Sequence, residues 1–327
     1  MRAMLMQAGE RLLADCPPGR VAGLLAEACP GQWHRPAGHA DIELRVTATR
    51  DPFRLSGAEP LTRGAYRRDR AVVLTNACGS GFDLSVEAVE DRLRIEARWR
   101  PPSRERLAAP VLRSRFHLLA RAVLVQYPAL WWAGRRGRVP LHAAAVTVGD
   151  AVPLLAGPGG IGRSTLLLDA VSAGERACSD NLCVSDGERV YGLVEPVRVE
   201  GGRGRRMAYG RRERALPAPV TTLRPDRLVG LSRGNAAEAT VVPLPAATAA
   251  ETLTAGTYMA GELRRYWAFA ATLALGTGIG PAHPAVREVA GALASRLPAY
   301  EIVLGARPGP GLAELLAAGP LRSVVTP

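Results

Sequence analysis

Gly157-Pro158-Gly159-Gly160-Ile161-Gly162-Arg163-Ser164-Thr165 follows the apolar run Ala151 to Ala156 and precedes a second apolar run, Leu166 to Ala173. The spacing is that of a phosphate-binding loop, G-x-x-x-x-G-K-[ST], set between a strand and a helix. Such a loop works because glycines let successive backbone N–H groups converge on phosphate oxygens, while the helix N-terminus adds its positive dipole. Arg163 stands where the motif has lysine. It keeps the charge and can grip phosphate through two N–H groups, but it is planar and bulkier than an ammonium. Ser164 offers a hydroxyl to Mg²⁺. The candidate nucleotide contacts are therefore Gly157, Gly159, Gly160, Ile161, Gly162, Arg163, Ser164 and Thr165.

Arginine at this position is partly a matter of composition, because the 327 residues contain no lysine and all 42 basic side chains are arginine. The formal net charge of +12 favours anionic partners such as nucleotides or acidic peptides. An aromatic content of 5%, without basic residues interleaved among aromatics, argues against nucleic acid. The five cysteines, Cys16, Cys29, Cys78, Cys178 and Cys183, are odd in number and scattered, which fits a reducing compartment and a cytoplasmic protein. The most apolar stretch, Val111 to Trp132, is interrupted by Arg113, Arg115 and Arg121, so no membrane span is expected.

Outward from the loop, Leu141 to Thr147 and Ala151 to Ala156 are joined by Val148-Gly149-Asp150, which predicts an antiparallel hairpin whose second strand feeds the glycines. Pro153 belongs at a bulge or an unpaired position of that strand. Period-two patterns at Ile42, Leu44, Val46 and at Leu93, Ile95, Ala97 predict strands in a small mixed α/β unit. A helix is expected from Leu112 to Leu130, with Phe116, Leu119, Val123 and Tyr127 on one face. Later helices are expected over Ala246 to Ala255, Gly261 to Leu275 and Ala285 to Leu297, and strands over Leu228 to Leu231, Thr240 to Pro243 and Tyr300 to Leu304. The fold class is α/β: an N-terminal mixed domain over 1–110, a nucleotide-binding domain with a mixed sheet over 111–305, and a Gly/Pro-rich tail over 306–327.

The order Pro140-Leu141-His142-Ala143-Ala144-Ala145, hairpin, glycine loop, then Cys178-Ser179-Asp180-Asn181 resembles the catalytic domain of HPr kinase/phosphorylase and its relatives, which include kinases of peptide natural product clusters such as lasso peptide kinases. The resemblance runs over about Leu112 to Leu304 and is strongest from Pro140 to Val184. It implies an HPr kinase-like domain that binds ATP and Mg²⁺ and phosphorylates a hydroxyl on an acidic or hydroxyl-bearing peptide or small protein. It places Asp180 as acceptor of the attacking hydroxyl's proton, Asn181 where the family has a second metal-binding acid, and His142 near the phosphates. The expected catalytic residues are thus Asp180, Arg163 and His142, and the expected metal ligands Ser164, Asp180 and Asn181. Glu200 loosely resembles the family's later metal-binding glutamate. Relatives often form oligomers, which leaves a homo-oligomer open.

Two further readings come from the residues themselves. Asp180 in Ser-Asp-Asn suits a turn, and a lone histidine in an apolar strand suits a hydrogen-bonded core position. The arginine-rich segment Gly201 to Arg214 reads as a solvated loop, or as one that closes over the nucleotide or holds an acidic or phosphorylated peptide. The alternative to a kinase is a nucleotide-binding partner protein, weak or inactive in catalysis, that recruits a peptide for another enzyme.

Overall fold

The computed structural model describes residues 1–103, 106, 112–201, 203–207, 210–307 and 309–318, with Arg113 described in its backbone alone. The boundary expected at 110–111 and the tail beyond 318 lie outside the described residues. The chain forms two compact units, each assembled from separate segments: Met1–Gly137 with Glu200–Ala215 and Glu262–Pro284, and Arg138–Val199 with Leu216–Gly261 and Ala285–Pro327. Both are mixed α/β. Among the described residues no helix is long and apolar enough to cross a membrane.

The first unit is built on strands β1 (Arg2–Gln7), β2 (Glu10–Asp15), β3 (Ile42–Thr47), β4 (Glu59–Thr62), β5 (Ala65–Arg68), β6 (Ala71–Leu74), β7 (Phe82–Val89) and β8 (Arg92–Trp99), arranged in one sheet in the order β1-β2-β3-β8-β7-β6-β5-β4. Period two explains its central pair. The parallel register sets Ile42, Leu44 and Val46 opposite Leu93, Ile95 and Ala97, and all six are buried. The helix after this sheet runs as an α segment Arg113–Arg121, a buried π-helical turn Ala122–Gln126 and a second α segment Tyr127–Ala133. Tyr127 meets Tyr266 and Phe269 of the helix Tyr266–Thr277 at centroid distances of 5.7 and 5.6 Å.

The second unit begins with β9 (Val139–Leu141), β10 (Ala143–Val146), β11 (Pro153–Ala156), β12 (Ala177–Ser179), β13 (Cys183–Ser185), β14 (Val190–Gly192) and β15 (Val197–Glu200). The chain next supplies the first unit with a hairpin, β16 (Arg205–Arg206) and β17 (Arg211–Arg214). It then completes the second with β18 (Thr222–Leu223), β19 (Arg227–Arg233), β20 (Thr240–Pro243) and β21 (Ala299–Leu304). A six-stranded mixed sheet has the order β12-β10-β11-β19-β21-β20, with β11-β19 and β19-β21 parallel. A four-stranded antiparallel sheet has the order β18-β14-β13-β9.

Ala144, Leu155, Leu167, Val229 and Ile302 anchor the core of this unit, each fully buried large aliphatic side chain contributing about 2 kcal/mol. Residues 312–318 of the Gly/Pro-rich tail form a helix, with Leu312 and Leu315 in the same core. Pro153 opens β11 and lies outside the β10 register, which starts at Leu154, but it pairs with Arg227 of β19 in the parallel ladder, so it is neither at a bulge nor unpaired as expected; a first strand residue tolerates the missing N–H.

Candidate functional site

Two chain crossings build the site. Leu141 ends β9 in the four-stranded sheet and Ala143 starts β10 in the six-stranded one, so His142 is the single residue of the first crossing. Ser179 ends β12 in the six-stranded sheet and Cys183 starts β13 in the four-stranded one, so Asp180 and Asn181 lie in the second, running back. The sheets are held close beside these crossings. A Cβ on Gly192, at the end of β14, would lie 1.7 Å from the carbonyl oxygen of Cys178 in β12, so only glycine fits there.

The glycine loop sits between β11 and the helix Arg163–Ser172, as its sequence spacing predicts. Gly162 is the N-cap with φ 115°, a conformation natural to glycine, and no side chain caps the helix. The amides of Thr165 and Leu166 donate to the Gly162 carbonyl at 3.1 Å, and with no side-chain cap ahead of them the helix N-terminus favours an anion. Pro158, Gly159 and Gly160 are exposed, whereas Gly157 is buried and Ile161 packs on the core of the unit.

Ser164 Oγ donates to Asp180 Oδ2 at 3.0 Å. Asp180 is 5% exposed, and its Oδ1 is buried with no hydrogen-bond partner among the described residues. Burial pushes its carboxyl up to about 6. The Arg163 guanidinium, the Ser164 hydroxyl and Arg198 pull against that rise, and Glu195 adds to it.

Arg163 is buried and makes a fork of contacts behind the loop. Its Nη2 lies 2.8 Å from His142 Nε2 and 3.1 Å from Asn181 Oδ1, while Nη1 donates to the carbonyls of His142 at 3.4 Å and Gly157 at 3.5 Å. A guanidinium can only donate, and Nη2 carries two hydrogens, so the geometry assigns His142 Nε2 as an acceptor with the ring proton on Nδ1. The His142 Nε2 to Asn181 Oδ1 approach of 2.9 Å is then a consequence of both groups converging on one cationic nitrogen. The His142 amide is fixed by Thr257 Oγ1 at 3.0 Å.

The structure thus brings Ser164, Asp180, Asn181, Arg163 and His142 together, and leaves Glu200 exposed at the end of β15. Magnesium fits Ser164 and Asp180: a hydroxyl and a carboxylate stand within one hydrogen bond, and a buried carboxylate oxygen is without a donor. Asn181 Oδ1 accepts from Arg163 Nη2 at 3.1 Å. Among the described residues no group of three or more His, Cys, Asp or Glu side chains is arranged to hold a metal. Cys178 and Cys183 are buried free thiols whose ionisation burial opposes.

Sequence reasoning passed over Glu195 and Arg198, which act electrostatically on Asp180. Glu195 is buried, and an acid inside Leu193-Val194-Glu195-Pro196-Val197 is the signal that was present.

No known protein family matches the sequence, and no curated protein does. Among solved structures the chain is similar to an Hpr(Ser) kinase/phosphatase from Coxiella burnetii, at 15% identity over 29% of this chain and 65% of that one, with a TM-score of 0.23. The chain thus spans less than two thirds of that structure, and the functional reading rests on this chain's own residues.

Proposed function

We propose that the protein is an HPr kinase-like phosphotransferase that binds ATP with Mg²⁺ and transfers the γ-phosphoryl group to a hydroxyl of a peptide or small protein. The observation that carries this reading is the Ser164 to Asp180 hydrogen bond at the uncapped N-terminus of the helix that follows the glycine loop. The residue order from Pro140 to Asn181 supports the same family.

On this reading the loop amides from Gly157 to Ser164 cradle the phosphates, and Ser164 and Asp180 hold the magnesium. Bound Mg²⁺ supplies neutralisation of charge on the β- and γ-phosphate oxygens. Asp180, ionised above about pH 6, takes the proton of the attacking hydroxyl. Arg163 does not need to reach the γ-phosphate. Its fork on His142 and Asn181 fixes the two crossings against the loop and places a positive charge beside Asp180. Rate enhancement then comes from positioning and from fixed charge.

The same fork favours a second reading, a nucleotide-binding partner without transfer, because the one cation of the motif is already engaged by protein groups. Titration calorimetry with Mg·ATP and label transfer from γ-labelled ATP to candidate acceptor peptides test the two together. Binding with transfer that Asp180→Asn abolishes supports the kinase. Binding without transfer to any acceptor favours the partner role, and absence of nucleotide binding overturns both.

A further inference from the structure

The charge of the chain is unevenly shared. The first unit has thirty arginines against seventeen acids, a net +13, and the unit with the glycine loop has twelve against thirteen, a net −1. The hairpin β16-β17 concentrates that excess. Glu213, its one acid, is buried and taken up by Arg121 and Arg205, which anchors the hairpin in the first unit. Arg203, Arg206, Arg211, Arg212 and Arg214 make no ion pair among the described residues.

The register sets Arg206 directly opposite Arg212, and strand alternation puts Arg214 on the same face. Like charges placed directly across a ladder repel, so this face is complete only with an anion on it. Arg212 also donates to the carbonyl of Gly204 at 2.9 Å, which fixes its plane and leaves other N–H groups of the fork for a ligand. Arg212 and Arg214 are two residues apart on one strand, about 6.6 Å, the spacing of alternate side chains on an extended peptide. Arginine forks match carboxylates in pairs.

We propose that this face docks an extended acidic peptide segment whose Asp or Glu residues alternate along the chain. A peptide suits it better than nucleic acid, because the strands, of two and four residues, are too short to follow a duplex. The surface lies outside the nucleotide loop, and the proposal does not depend on phosphoryl transfer.

Fluorescence anisotropy with the full chain tests it, using a labelled peptide of alternating Glu and Ser, a Gln and Ser peptide of equal length, and a short single-stranded oligonucleotide. The acidic peptide is expected to bind at low salt and the neutral one not to. Arg206→Glu with Arg212→Glu and Arg214→Glu should weaken the acidic peptide by roughly tenfold or more, while Mg·ATP binding stays unchanged. Arg206→Gln with Arg212→Gln guards against misfolding: relief of cross-strand repulsion should hold or raise the melting temperature while peptide binding falls. Unchanged peptide affinity in either variant overturns the proposal. So does an oligonucleotide that binds more tightly than the acidic peptide through the same arginines.

Discussion

Arg163 Nη2 stands 2.8 Å from His142 Nε2, so the cation that follows the glycine loop is tied to the residue on which the chain passes from one sheet to the other. The loop, the sheet crossing and the charge beside Asp180 are therefore one connected unit, and its parts respond together to substitution.

Replacing Arg163 by Met removes the buried fork and the positive charge that most favours the ionised form of Asp180. A loss of about 3 kcal/mol is expected from breaking a buried charged contact. Arg163→Lys keeps the charge but offers a point donor instead of a fork, and should fall between wild type and Met. Urea unfolding of the three proteins checks the order. Met equal to wild type would show that the fork contributes nothing.

The Asp180 carboxyl is raised from 3.8 to about 6 in the folded chain, so the native state holds this proton more tightly than the unfolded one. The stabilising contribution is complete below pH 3.8 and is lost as pH rises through about 6. A shift of roughly two units corresponds to about 3 kcal/mol. Without divalent cation, Asp180→Asn should gain stability relative to wild type between pH 4 and pH 7. Melting curves across that range read the difference, and parallel pH profiles would refute the assignment.

Arg121 and Glu213 are each 2% exposed and meet at 3.2 Å. Glu213→Leu strands the Arg121 charge and should destabilise by about 3 to 5 kcal/mol, while Arg121→Met with Glu213→Leu should recover most of that loss. A double-mutant cycle by chemical denaturation measures the coupling. Additive single effects would mean that the two charges do not stabilise one another.

At Gly192 the constraint is backbone against backbone. Gly192→Ala forces its Cβ into the Cys178 carbonyl, and β12 and β14 must separate. The expected result is a loss of about 3 kcal/mol or failure to fold. Gly159→Ala, where the new Cβ meets nothing within 4 Å, is the control for a glycine change that leaves folding stability near wild type. Near-native stability of the Gly192 variant would contradict the close approach.

Much of this architecture was visible in residue order. Apolar runs flanking Val148-Gly149-Asp150 predicted the β10-β11 hairpin, and the glycines after Ala156 predicted the turn into the helix, because turn chemistry and strand length are local properties. The break at His142 was not visible. Leu141 to Thr147 reads as one continuous strand, and when a run is buried on both faces its hydrophobic pattern does not mark the residue at which it changes sheets.

The helix expected from Leu112 to Leu130 hides a π turn for a similar reason, since Ala122–Gln126 is buried at every position and its pattern does not mark the one added residue. Asp180 and Asn181 were found by their place after the loop helix. Their different fates, one beside Ser164 and the other on Arg163, depend on side-chain directions that spacing does not encode.

The interleaving of the two compact units constrains how the polypeptide is made. The first unit takes its last segment from Glu262–Pro284, and the second takes chain from both sides of it. Neither unit can finish while the ribosome is still translating residues before 284: the eight-stranded sheet has all its strands by Trp99, but the six-stranded sheet must wait for β21 at Ala299–Leu304. No single proteolytic cut can release either unit whole.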